Sequence, residues 1–142
     1  MISVALVMFS VSAFADLEFT DVWARATPPG MPMGAVYAVI RNQGDAVIEL
    51  ESLDTPVARA AEVHESIEID GMMRMREIVP FKIAPGDVVR LEPGGKHMML
   101  MGLKEGLKPG ERFALNVRLS DGSTQTIEAL VGGFGEMSMP AN

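Results

Sequence analysis

Apolar and polar residues alternate one by one along most of this chain, and clusters of Gly, Pro, Asn and Asp break the alternation at intervals of roughly 8–12 residues. A period of two turns successive side chains to opposite faces of an extended strand, so these runs read as strands with one buried face. They cover residues 17–23, 35–41, 47–52, 60–69, 72–79, 87–91, 97–103, 112–119 and 124–131. The breaks are Thr27-Pro-Pro-Gly30, Asn42-Gln-Gly-Asp45, Asp70-Gly71, Pro85-Gly86, Pro93-Gly-Gly95, Pro109-Gly110 and Asp121-Gly122. Asp-Gly between alternating runs is a strong hairpin signal, because both central residues of that turn need positive φ. No long run repeats at the helical period, and a turn of helix around residues 102–106 is the most the pattern allows. The pattern therefore predicts an all-β sandwich or barrel. Its core is expected from Val36, Ala38 and Ile40 on one strand and Phe113, Leu115 and Val117 on another.

Residues 1–15 are largely apolar, carry no charged side chain and end in Ala13-Phe14-Ala15, the small-x-small pattern that signal peptidase cuts. They read as an export signal, with Asp16 as the first mature residue. The expected organisation is a signal peptide (1–15), one domain (16–132) and a flexible tail (133–142) of turn formers. The apolar run is too short to cross a bilayer, so no stable membrane insertion is expected.

The net charge of −7 offers no basic surface for nucleic acid or anionic lipid. Cysteine is absent. That excludes disulfides, a lipid-anchored cysteine, thiolate zinc sites and a blue-copper centre. A soft-metal site in this chain must use thioethers and imidazoles. The chain holds 12 Met and only 2 His, and three of the Met follow the second His in His97-Met98-Met99-Leu100-Met101.

On a strand, His97 and Met99 project from the same face, with Met101 further along, while Met98 and Leu100 point to the other face and suit a core. His64 precedes the Asp70-Gly71 turn. A two-residue hairpin there sets Ile69 opposite Met72, Ser66 opposite Met75 and His64 opposite Glu77. His64 and Met75 then become diagonal neighbours, roughly 7–8 Å apart at Cα. Met73 and Met101 share the same two faces and are alternatives to Met75 and Met99. Met31, Met33, Met137 and Met139 are candidates for an auxiliary site, and Glu62, Glu65 and Glu77 read as solvated charges. Two imidazoles and two neutral thioethers suit Cu(I) better than Zn²⁺, which prefers thiolate, imidazole and carboxylate. An unperturbed imidazole titrates near pH ~6.5, so copper affinity is expected to fall below that region.

The spacing His64-x10-Met75-x21-His97-x-Met99 resembles the motif of the periplasmic PCu(A)C copper chaperones. The resemblance runs from about residue 19 to residue 131. It includes Val22-Trp-Ala-Arg25, Gly34-Ala-Val-Tyr37, Arg41-Asn42, Val63-His64-Glu65, Met73-Arg-Met-Arg76 and Leu91-Glu-Pro-Gly-Gly-Lys-His-Met-Met99. It implies a cupredoxin-like Greek-key β-sandwich or barrel in the periplasm, with one Cu(I) held by His64, Met75, His97 and Met99. It also implies a copper-acceptor protein as partner, such as a cytochrome c oxidase subunit, although storage and copper tolerance use the same kind of site.

Other functions find less support. No Ser-His-Asp relay and no phosphate loop is evident, so the chain is expected to bind rather than catalyse. A histidine-brace oxygenase needs His as the first mature residue, where Asp16 is expected. A metal-free β-sandwich binding module is the remaining alternative, and an aromatic content of only 6% gives it little to bind with.

Overall fold

The computed structural model describes residues 16–140. Ten strands follow in chain order: β1 (Leu17–Ala24), β2 (Met33–Asn42), β3 (Ile48–Asp54), β4 (Ala58–Ile69), β5 (Met72–Glu77), β6 (Phe81–Ile83), β7 (Val88–Leu91), β8 (His97–Leu103), β9 (Arg112–Leu119) and β10 (Thr124–Val131). No helix occurs among the described residues. Seven strands close a ring in the order β4-β8-β2-β1-β10-β9-β3, and β3 pairs back to β4. All neighbours in the ring are antiparallel except β1 and β10, which run parallel. β5 extends the sheet beyond β4 as a free edge, β6 flanks β3, and β7 takes the half of β2 that β8 leaves unpaired.

Alternation supplies the barrel's filling. Val36, Ala38 and Ile40 of β2, Met98 and Leu100 of β8, and Phe113, Leu115 and Val117 of β9 all point inward and are buried. Closing the sheet removes most of its edges, which is how a chain without disulfides protects its strand ladders.

A bulge in β1 has a direct bearing on the outer face. The register passes from Thr20↔Val39 to Trp23↔Tyr37, so β1 spends one extra residue there, with Asp21 at φ 50. One extra residue reverses the facing of everything after it. Leu17 and Phe19 therefore share the inward face of Ile40, whereas Trp23 turns outward onto Tyr37, ring centroids 4.8 Å apart.

Two expectations need correction. The run predicted over residues 72–79 ends at Glu77, and a separate strand, β6, begins at Phe81. Pro80 lies between them, and without an N–H it cannot continue a ladder. No helical turn forms at residues 102–106: Gly102 lies at φ 68, the Leu103 N–H donates to the Pro32 carbonyl, and that of Lys104 to Val57. The expected signal peptide falls outside the described residues. Residues 133–140 carry no strand, and the Arg25 Nε–H donates to the Glu136 carbonyl at 2.6 Å.

Candidate metal centre

The Asp70-Gly71 turn fixes the first half of the site. Both residues have positive φ, 52° and 78°, as a tight primed hairpin turn requires. The register that follows is His64↔Glu77, Ser66↔Met75 and Ile69↔Met72, as the sequence predicts. Met75 thus stands diagonal to His64 on the free edge strand.

The second half comes from pairing that crosses the chain. β4 and β8 run antiparallel with His64↔His97, Val63↔Met98, Glu62↔Met99 and Ala60↔Met101. Val63 and Met98 face the core. His64, Glu62, His97 and Met99 consequently share the outer face in a block of two by two, with ring centroids of the histidines 6.1 Å apart at 47°. His97 and Met99 are only 5% and 6% exposed, whereas Met75 is 57% exposed. The structure therefore gathers His64, His97 and Met99, and it stands Met75 on the open side of that cluster.

Hydrogen bonds decide which ring nitrogens carry lone pairs. The Nδ1–H of His97 donates to the Gly95 carbonyl at 3.0 Å, because a carbonyl only accepts. Its Nε2 is left as an acceptor, buried and without a partner. The Nε2–H of His64 donates to the Glu62 carboxylate at 2.7 Å, and here Nδ1 is the buried nitrogen without a partner. The His64 side chain is 15% exposed, but Nδ1 itself is shielded from water. Leaving a buried acceptor unsatisfied costs on the order of 1–3 kcal/mol, so one such pair on facing strands asks for a ligand. An imidazole held at one nitrogen by a carboxylate or carbonyl, with the other free, is the usual arrangement of a metal-binding histidine.

Among the described residues, no group of three or more His, Cys, Asp or Glu is placed to hold a metal. An ion shared by the two histidines must complete its shell elsewhere; Met99 lies beside them on the same face and Met75 diagonal to His64, while the Glu62 carboxylate is engaged by His64. Glu62, read from sequence as a solvated charge, instead anchors His64. Its position two residues before His64 on the same strand face was the available signal. Gly95 gave no signal, since any residue supplies a carbonyl.

The other candidates are dispersed. Met98 is in the core, Met72 lies opposite Ile69 on the reverse face of the hairpin, and Met73 is exposed opposite Glu68. Met101 stands opposite Met33 on β2, and Met31 is exposed just before that strand. Arg25 places its Nη2 2.8 Å from the Met137 sulfur and lies over the Tyr37 ring, 5.8 Å from the centroid. Burial raises the Tyr37 phenol above its ordinary pKa, and the Arg25 guanidinium partly opposes the shift.

The sequence model of the LpqE-like family matches residues 17–131. A protein of Leifsonia xyli subsp. xyli named "Putative lipoprotein Lxx21020" is 31% identical over 119 residues, 83% of this chain and 70% of that protein. The solution structure of Cu(I)-DR1885 from Deinococcus radiodurans is 30% identical, with a TM-score of 0.68 over 86% of this chain and 81% of that one. The apo PCuAC domain of PmoF2 superposes with a TM-score of 0.74 at 19% identity, covering 89% of this chain and 97% of that domain, a likeness of fold.

Proposed function

This chain belongs to the LpqE-like family and has the fold of the PCuAC copper-chaperone domains, and from that premise we propose that it binds one Cu(I) and hands it on by ligand exchange. The ligands are His64 through Nδ1, His97 through Nε2, Met99 and Met75. The observation that carries this reading is the pair of buried, partnerless ring nitrogens on facing strands, each set by a hydrogen bond at the opposite nitrogen of its ring. Soft, neutral sulfur beside borderline imidazole favours a monovalent soft cation, and thioethers bind it without releasing a proton.

The uneven burial of the ligands favours transfer over storage. His97 and Met99 are walled in, and only Met75 stands in solvent on a strand with a free edge. A partner's donor therefore approaches from the Met75 side and replaces that sulfur first, and the two histidines and Met99 hold the ion until the exchange proceeds. The chain acts as a carrier outside the cytoplasm, with no catalytic step of its own, and the acceptor is the copper centre of a cytochrome c oxidase subunit.

Anaerobic Cu(I) titration against a competing chelator tests the site. One tight equivalent, weakened in both Met75→Ala and His97→Ala, is the expected result. No tight binding, or binding indifferent to both substitutions, would falsify it, and the absence of binding would bring forward the metal-free binding module. For the acceptor, deleting the gene under copper limitation is expected to lower oxidase activity, and undiminished activity points to storage or tolerance.

A further inference from the structure

Beyond the histidines, the outer face of β8 continues as a row of sulfur. Met99 and Met101 lie two residues apart on one strand, so they project on the same side about 6.6–6.8 Å from each other along it. β2 sets Met33 directly opposite Met101, which brings their Cβ atoms to about 4.5–5.5 Å. The flanking positions are small: Ala60 of β4 stands opposite Met101, and Ala35 of β2 opposite Met99. Two long, unbranched thioethers thus stand opposite each other, with alanines at the paired positions on either side and Glu62 diagonal to Met101. Exposure rises along the row, from buried Met99 through half-buried Met101 to Met33, 45% exposed.

The start of β2 is held in place. The Leu103 N–H donates to the Pro32 carbonyl at 2.9 Å, and the Met31 N–H closes a turn onto the Pro28 carbonyl at 3.2 Å. Gly30, at φ 82, occupies the position of that turn where positive φ is needed. Core packing does not account for a half-exposed methionine at such a position.

We propose that Met33 and Met101 form a second, weaker site that takes one Cu(I) through two thioether sulfurs and stages the ion between solvent and Met99. Neutral sulfur suits a soft monovalent cation, and a donor pair without imidazole holds it less firmly than the histidine centre. The staging role rests on the copper reading of that centre; the two-sulfur site does not.

The test is a titration of the full chain, labelled with carbon-13 at the methionine methyl groups, using Cu(I) without oxygen and Ag(I) as a redox-inert counterpart. The first equivalent is expected to move the Met75 and Met99 methyl signals, and the second those of Met33 and Met101. A Met33→Leu/Met101→Leu variant nearly conserves volume. It is expected to weaken the second equivalent at least about tenfold, ~1.4 kcal/mol, leave the first unchanged, and slow exchange of Cu(I) with a chelator. A second equivalent that moves Met72, Met73, Met137 or Met139 instead, or that survives in the double variant, overturns the proposal. A first equivalent that leaves the His64 and His97 ring signals unmoved removes the histidine centre and the staging role with it, whereas Met33 and Met101 shifts in the same experiment uphold the two-sulfur site.

Discussion

Each histidine of the centre offers a different nitrogen, Nδ1 from His64 and Nε2 from His97, because Glu62 and Gly95 occupy the others. Glu62 is the more informative partner to alter, since a side chain can be replaced and a carbonyl cannot. Glu62→Gln is expected to lower Cu(I) affinity about 10–100-fold, the usual cost of loosening a ligand's outer partner. Its unfolding midpoint should stay close to the parent's, and a chelator competition beside a urea curve separates the two effects. Tyr37, the chain's single tyrosine, gives a second prediction. Burial holds its phenol above the ordinary value, so the folded state binds this proton more tightly than the unfolded chain does. The stability this gives is fully present below pH ~10 and is lost as pH rises through the folded pKa. Absorbance at 295 nm should show ionisation in the native protein later than in urea, and coincident curves would contradict the burial argument.

Among the elements, the β4–β5 hairpin and the β4–β8 pair show what a sequence can and cannot disclose. Gly71 sits at φ 78 with nothing within 4 Å of where a Cβ would lie. The cost of Gly71→Ala is therefore backbone strain alone, roughly 1–2 kcal/mol. Thermal unfolding should report that loss, and hairpin amides should exchange faster. Because this turn is local chemistry, the register His64↔Glu77 was legible from Asp70-Gly71 and the alternation around it. The strands 97–103, 112–119 and 124–131 were legible for the same reason. The pairing of His64 with His97 was not, since it depends on two strands far apart in the chain meeting in one sheet, which no local period encodes. The bulge at Asp21 escaped for a related reason: a run of alternating residues does not reveal where one residue is left unpaired. β6 escaped because three residues, Phe81–Ile83, are too few to establish a period.

Taken whole, the barrel is unevenly sealed. β4 is zipped to β8 along much of its length, but it meets β3 only at Leu53↔Ala61, beside a cleft lined by Leu50, Ser52, Val63 and Ile78. Opening should begin at that seam. Hydrogen exchange is expected to be faster for the amides around Leu53 than for those of Met98 and Leu100, and the reverse order would place the weak point elsewhere. Leu100→Ala, on the well-sealed side with no exposed surface, should cost about 2–5 kcal/mol. The same contrast between wall and edge governs how the protein ages chemically. Peroxide converts an accessible thioether to a polar sulfoxide, which is a poor ligand for a soft ion, and reductases can reverse the change. With Met99 enclosed and Met75 in solvent, the first oxidative hit on the centre falls on the one ligand that the barrel does not need for packing. Under the proposed copper reading, such damage would disable delivery while the fold survives, and the exposed edge would act as a repairable fuse.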